Sequence, residues 1–147
     1  GQSVLDKIPQ NLAHVESSPY RYNSRSNKNL SVQIVAKKSQ DADNETEGCI
    51  KSGDITTKGS ELRFTAVQKT GAFFSSDTYR VSWQVVNTGS DAVADGQLRG
   101  GFYQSDKRHS RTETTQYRGV HWVQAFLIHK ETGLLCGTSD RFFVVIQ

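Results

Sequence analysis

The run Tyr117-Arg118-Gly119-Val120-His121-Trp122-Val123-Gln124-Ala125-Phe126-Leu127-Ile128-His129-Lys130 constrains the fold more than any other stretch of the chain. It is the densest concentration of aromatic and branched apolar residues, which suits a half-buried pleated surface. Side chains alternate across a strand, so Trp122, Gln124, Phe126 and Ile128 share one face and His121, Val123, Ala125 and Leu127 the other. Neither set is cleanly polar. The run is therefore expected to be a central strand covered on most of both faces, with Arg118 and His121 as polar residues at its mouth.

Such a strand needs partners, and the rest of the chain supplies them. Ser31–Lys37 and the short Cys49–Lys51 read as strands. Glu61–Gln68 alternates with Leu62, Phe64 and Ala66 inward. Tyr79–Val86 alternates more cleanly: Tyr79, Val81, Trp83 and Val85 on one face, Arg80, Ser82 and Gln84 on a wet one. Gln97–Gln104 and Arg111–Tyr117 flank a charged loop, Ser105–Ser110. Glu131-Thr132-Gly133 turns the central strand back into Leu134–Gly137 as a hairpin. Arg141–Ile146 closes the set with Phe142, Val144 and Ile146 inward. The only prolines, Pro9 and Pro19, lie early, and twelve glycines are spread as turns between short strands require. Eight or nine strands in one core-sized chain predict an all-β fold, a two-sheet antiparallel β-sandwich of immunoglobulin-like or similar type. Ahead of it, Val4, Leu5, Ile8 and Leu12 recur at helical spacing behind Ser3 and Asp6, interrupted by Pro9. The expected organisation is a short N-terminal helix and linker over residues 1–30 and a sandwich over 31–147. The polar segment Ser17–Asn29 reads as linker, although Tyr20, Arg21, Tyr22 and Arg25 also resemble a nucleotide clamp.

Charge excludes some functions. The net charge of +3 is mild, and a general nucleic-acid binder needs a denser basic stripe. The distribution is more informative. Arg99, Lys107, Arg108, Arg111 and Arg118 face only Asp106 and Glu113 in the stretch beside the central strand, where an anion would be attracted. Asp41, Asp43, Glu45 and Glu47 read as a solvated loop. Cys49 and Cys136, each in or beside an apolar run, read as buried thiols of a reducing cytosol rather than a disulfide. No stretch is long and apolar enough to span a bilayer, so no membrane association is expected.

Catalytic and metal chemistry find little support. His14, His109, His121 and His129 show no chelating spacing, and no metal or other cofactor is expected. There is no nucleophile elbow and no phosphate loop. Glu113 and His121 would form an acid–base pair only if folding joined them. Arg99-Gly100-Gly101 suggests a bulge, or a place where another group closely approaches the backbone. The strongest constellation is composite. Arg99, Arg118 and Arg141 offer forked donors for phosphate, Tyr103, Tyr117, Trp122 and Tyr79 offer flat stacking surfaces, and His121 can meet a base edge or a phosphate. The same arginines could instead pair with Asp140, Glu113 or Asp95. Trp83 and Trp122 read as core, one large aromatic on each of two facing strands.

The second half of the chain also resembles a known family. Trp83-x-x-Val86-Asn87-Thr88-Gly89, Leu98-Arg99-Gly100, Glu113-x-Thr115-x-Tyr117-x-Gly119-x-His121-Trp122-Val123 and the closing Cys136…Phe142-x-Val144-x-Ile146 are similar in order and spacing to the adenylyl/guanylyl cyclase and SMODS C-terminal sensor domain family. Gln124 departs from the pattern, since an acidic residue is expected there. The resemblance implies a cytoplasmic, non-enzymatic sensor of bacterial anti-phage systems that binds a nucleotide or cyclic oligonucleotide signal. It would be attached to, or partnered with, a cGAS-like nucleotidyltransferase or an effector module. It carries over no catalytic residues. A structural domain docking on a protein partner without a small ligand is the alternative.

Overall fold

The structure is a computed structural model in which residues 12–22, 29–41 and 44–147 are described. Along the chain the elements are β1 (Gln33–Asp41), β2 (Asn44–Ile50), β3 (Ile55–Thr56), β4 (Glu61–Val67), β5 (Tyr79–Val86), a one-turn helix α1 (Ser90–Ala94), β6 (Phe102–Gln104), β7 (Ser110–Thr114), β8 (Gly119–His129), β9 (Leu135–Thr138) and β10 (Phe142–Ile146). They build two sheets, one ordered β2-β1-β4-β7 and the other β3-β10-β8-β5-β6, with β9 added to β8. All pairings are antiparallel except β3 with β10. The fold is the expected two-sheet β-sandwich.

The core follows the alternation of the strands. Leu62, Phe64 and Ala66 of β4 meet Val81, Trp83 and Val85 of β5, Val123, Ala125 and Leu127 of β8, and Phe142, Val144 and Ile146 of β10. β8 is central, pairing with β5 on one side and β10 on the other. Trp83 and Trp122 are both fully buried, at 0% and 1% exposure. They do not face one another across the sandwich, however. They lie on adjacent strands of one sheet and on opposite faces: Trp83 fills the inter-sheet core, while Trp122 packs behind the sheet against Phe143.

The face expected to be wet on β5 is wet only at Arg80. Ser82 and Gln84 are buried because residues 12–22 run across the outer face as a strap. Tyr20 donates its hydroxyl to Ser82 Oγ at 2.8 Å, and its ring packs against Phe102 and Phe126. Gln84 Nε2 donates to the carbonyls of Glu16 and Gly100 at 2.9 and 3.1 Å. Phe126, Ile128 and Leu135 form a second small core beneath the strap. This explains why β8 is apolar on both faces. Close approach, one of the two readings of Arg99-Gly100-Gly101, is what the glycines permit: a Cβ on Gly100 would sit 2.2 Å from the His14 carbonyl oxygen.

Other local expectations shift. The acidic run is a hairpin rather than a loop, with Asp41 ending β1, Glu45 and Glu47 in β2, and a bulge between Ser39 and Asp41. Cys49 is exposed because Ile50 takes the inward position on edge strand β2; Cys136 is half-buried, and both are free thiols. The strand expected over 97–104 shortens to three residues, since Asn87 ties down the segment before it. Asn87 Nδ2 donates to Gln97 O at 2.7 Å, and its Oδ1 accepts from Arg99 N at 2.5 Å. The helical spacing read at Val4, Leu5 and Ile8, and the clamp residue Arg25, lie outside the described residues. No helix among those described is long and apolar enough to cross a membrane.

Candidate functional site

At the end of the sandwich where β8 begins, the two sheets diverge around a cavity of about 330 Å³. Its floor is the apolar core: Leu62, Phe64, Val123, Val144 and Ile146. Its rim carries Asn87, Gln97, Arg99, Glu113, Gln116, Tyr117 and His121. His121 reaches it because it shares a face with Val123 and is the last inward-facing position before the core. The mouth is set by a crossing of two turns. Gly89 and Gly119 have φ of 106° and 128°; a Cβ on either would come within 2.9 Å of the Arg118 carbonyl or 2.6 Å of the Thr88 carbonyl. Only glycine fits both the left-handed backbone and the contact.

The rim's electrostatics centre on Glu113. Arg99 Nη1 donates to its Oε1 at 2.6 Å and Arg111 Nε donates to its Oε2 at 2.8 Å. Both guanidinium groups also flank the Tyr103 ring, at 4.4 and 4.9 Å from its centre, and Arg99 Nε donates to the Tyr103 hydroxyl at 3.1 Å. Burial opposes the charge on Arg99, but the bonds to Glu113 and Tyr103 outweigh it and hold the guanidinium ionised. Since β7 edges one sheet and β6 the other, this cluster is also a clasp between the two sheets.

His121 is different in kind. Burial lowers its pKa, with a smaller opposing push from the carbonyl it bonds, so it is neutral near pH 7. Its Nε2 lies 2.7 Å from the Tyr117 carbonyl oxygen. A carbonyl only accepts, so Nε2 carries the proton and Nδ1 is left as an acceptor. Tyr117 donates its hydroxyl to Asp95 Oδ2 at 2.5 Å, tying the segment after α1 over the mouth and raising the phenol's pKa.

Of the residues expected to bind a ligand, the fold brings Arg99, Tyr117 and His121 to one cavity, with Tyr103 beneath Arg99. Arg118 is exposed beside the rim. Arg141 is elsewhere, its guanidinium 4.7 Å over the Trp122 ring on the outer sheet face. Glu113 and His121 line the same cavity without bonding each other: the glutamate is held by two arginines and the imidazole by a carbonyl. Among the described residues no group of three His, Cys, Asp or Glu could hold a metal. Gln97 and Gln116, which carry no motif, and Arg111, visible only as one charge of a basic stretch, complete the rim cluster.

The molecule is a two-sheet β-sandwich with a polar-rimmed cavity at one end. The chain belongs to the adenylyl/guanylyl and SMODS C-terminal sensor domain family, whose sequence model matches residues 10–147. Among solved structures it is similar to the solution structure of the PKD domain (329-428) from human KIAA0319, at 11% identity and a TM-score of 0.41, covering 90% of this chain and 92% of that one. A comparison with curated proteins finds no match.

Proposed function

We propose that the chain is the non-enzymatic, ligand-sensing domain of a cytoplasmic bacterial anti-phage protein. It binds the base of a nucleotide or cyclic oligonucleotide in the end cavity and so controls an attached or partner nucleotidyltransferase or effector. The observation that carries this reading is the convergence of Arg99, Tyr117 and His121 on one cavity with an apolar floor. Ligand pockets span roughly 300–1,000 Å³, and about 330 Å³ lies at the lower end. It suits one base, leaving sugar and phosphate at the rim. The Nδ1 acceptor of His121 complements an exocyclic amine or ring N–H, and the Arg99–Glu113–Arg111 cluster keeps one net positive charge at the edge.

Signalling requires that binding favour one arrangement of the whole protein. The strap offers a route: His14 Nε2 lies 2.8 Å from the Asn87 carbonyl oxygen, and Asn87 holds the backbone of Gln97 and Arg99 at the cavity rim.

One observation favours the rival reading, a structural domain docking on a protein partner. Glu113 already engages both rim arginines, so the cluster is complete without a ligand. Thermal melting with a panel of linear and cyclic nucleotides separates the two. A ligand at a hundredfold excess over its Kd stabilises by about 2.7 kcal/mol, giving a clear rise in Tm. His121→Ala should weaken a hit by about tenfold, the worth of one hydrogen bond in a buried site, and Tyr117→Ala should weaken it through loss of the stacking face. If no nucleotide raises the Tm, docking is the better account; consumption of the nucleotide would restore an enzymatic one.

A further inference from the structure

The opposite end of the sandwich carries a second, larger groove of about 700 Å³, formed where β5 begins and where the loop 105–109 turns. Arg80, Lys107, Arg108 and Lys130 line it, and all four are exposed. Among the described residues no carboxylate forms an ion pair with any of them; Arg80 lies 5.6 Å from the centre of the Tyr20 ring. Asp106 is the one acidic lining residue, and its carboxylate is already engaged. Its Oδ2 accepts from Thr112 N at 2.7 Å, and its Oδ1 lies 3.7 Å from Arg111 Nη1. The groove therefore gathers four cations against a single carboxylate that is already shared with Arg111, an excess of positive charge that favours a negatively charged ligand.

The backbone adds a second observation. Lys107-Arg108-His109-Ser110 is a tight turn closed by Ser110 N donating to Lys107 O at 2.6 Å, with φ of 37° at Arg108 and 62° at His109. Two successive positive φ values are the signature of a turn that Asn-Gly fills without steric cost and that Arg-His does not. His109 has a structural reason to be there: it is buried, its Nε2 lies 3.1 Å from Phe74 O, and its carbonyl accepts from Ala66 N. Arg108 has none, since its side chain is exposed and meets no hydrogen-bonding or charged partner among the described residues. A strained backbone position that holds a charged side chain without local compensation is a mark of function.

We propose that this groove is a second binding site, specific for a short chain of linked phosphates. Lys107 and Arg108 grip the chain from the turn, and Arg80 and Lys130 grip it from the strand ends opposite. A single phosphate would satisfy one or two of these donors, whereas linked phosphates bring enough charge and length to engage four. The cations gather at one end of the sandwich rather than following a path along it, which fits a compact polyanion better than a polynucleotide backbone. The phosphate chain can be free, or it can be the tail of a nucleoside triphosphate.

Calorimetry of the full 147-residue chain with inorganic triphosphate tests this. Saturable one-to-one binding is expected, weakened at least tenfold by Lys107→Ala or Arg108→Gly, the worth of one charge-assisted contact. Arg108→Gly also relieves the left-handed strain, so its unliganded Tm should be no lower than that of the parent protein. A nucleoside triphosphate binding more tightly than inorganic triphosphate, and losing affinity in the same two variants, identifies the tail as the ligand; equal binding identifies the free chain. Failure of inorganic triphosphate to bind overturns the site. So does binding that both variants leave unchanged, or equal affinity for an oligonucleotide with a 5′-hydroxyl end.

Discussion

Glu113 illustrates how one residue can govern both stability and recognition. Its carboxylate holds Arg99 from one sheet edge and Arg111 from its own strand, and both cations sit on the Tyr103 ring. Glu113→Gln would leave two guanidinium groups side by side without a counter-charge. We expect it to lower the unfolding free energy by about 1–3 kcal/mol, read as a fall in the urea midpoint at constant slope. An unchanged midpoint would mean that the clasp is only a surface pairing. Arg99 therefore cannot be treated as a pure ligand contact, since its loss also opens the clasp. The histidines set the acid limit. Burial holds His109 and His121 below the ordinary value of 6.5, so the unfolded chain takes up protons at these sites at a higher pH than the folded one. Their contribution to stability is fully present above about 6.5 and is lost as the pH falls through the lower folded values. The Tm should decline over that window, and His109→Gln should flatten part of the decline; a Tm independent of pH there would contradict it.

At the scale of elements, the strap residues 12–22 are the least expected part. Tyr20→Ala removes the hydroxyl bond to Ser82 and a ring packed on Phe102 and Phe126, at a cost of about 2–4 kcal/mol. Gly100→Ala should act more locally, its methyl pushing on the His14 carbonyl. We expect faster proteolysis within residues 12–22 while the sheets stay folded; uniform protection would show that the strap can shift at little cost. These elements also show what sequence can reveal. β4 and β5 were legible because alternation places Leu62 and Trp83 inward, and β8 and β10 because their dense aromatic and branched apolar runs bring Val123 and Val144 to the same core. The strap was not, because Ser17 to Tyr22 has the composition of a linker and its partners, Ser82 and Gln84, look like solvent-facing residues. Their burial depends on a contact across sixty residues of sequence that no local pattern encodes. The cavity was half legible: the motif residues Arg99, Tyr117 and His121 marked it, while Arg141 carries the same forked chemistry but falls on a face that only strand parity decides.

The whole molecule has two distinct ends. One is a small cavity with an apolar floor, a neutral imidazole and a clasp in which one glutamate holds two arginines; the other is a wide groove with four cations against one carboxylate. β6 runs between them, with Tyr103 in the wide groove stacked beneath Arg99 of the small cavity. A ligand that meets one end need not resemble a ligand that meets the other.

The strap has a further consequence, for attachment. It crosses the back of the sheet and is fastened at His14, Glu16 and Tyr20. A second domain grafted ahead of residue 12 would therefore hang from a point beside the rim instead of swinging on the length of residues 12–22. Each residue of free chain adds at most about 3.5 Å of reach, so freeing the strap would lengthen the leash by several nanometres. Fastened or freed, it would set how far such a passenger can stray from the cavity.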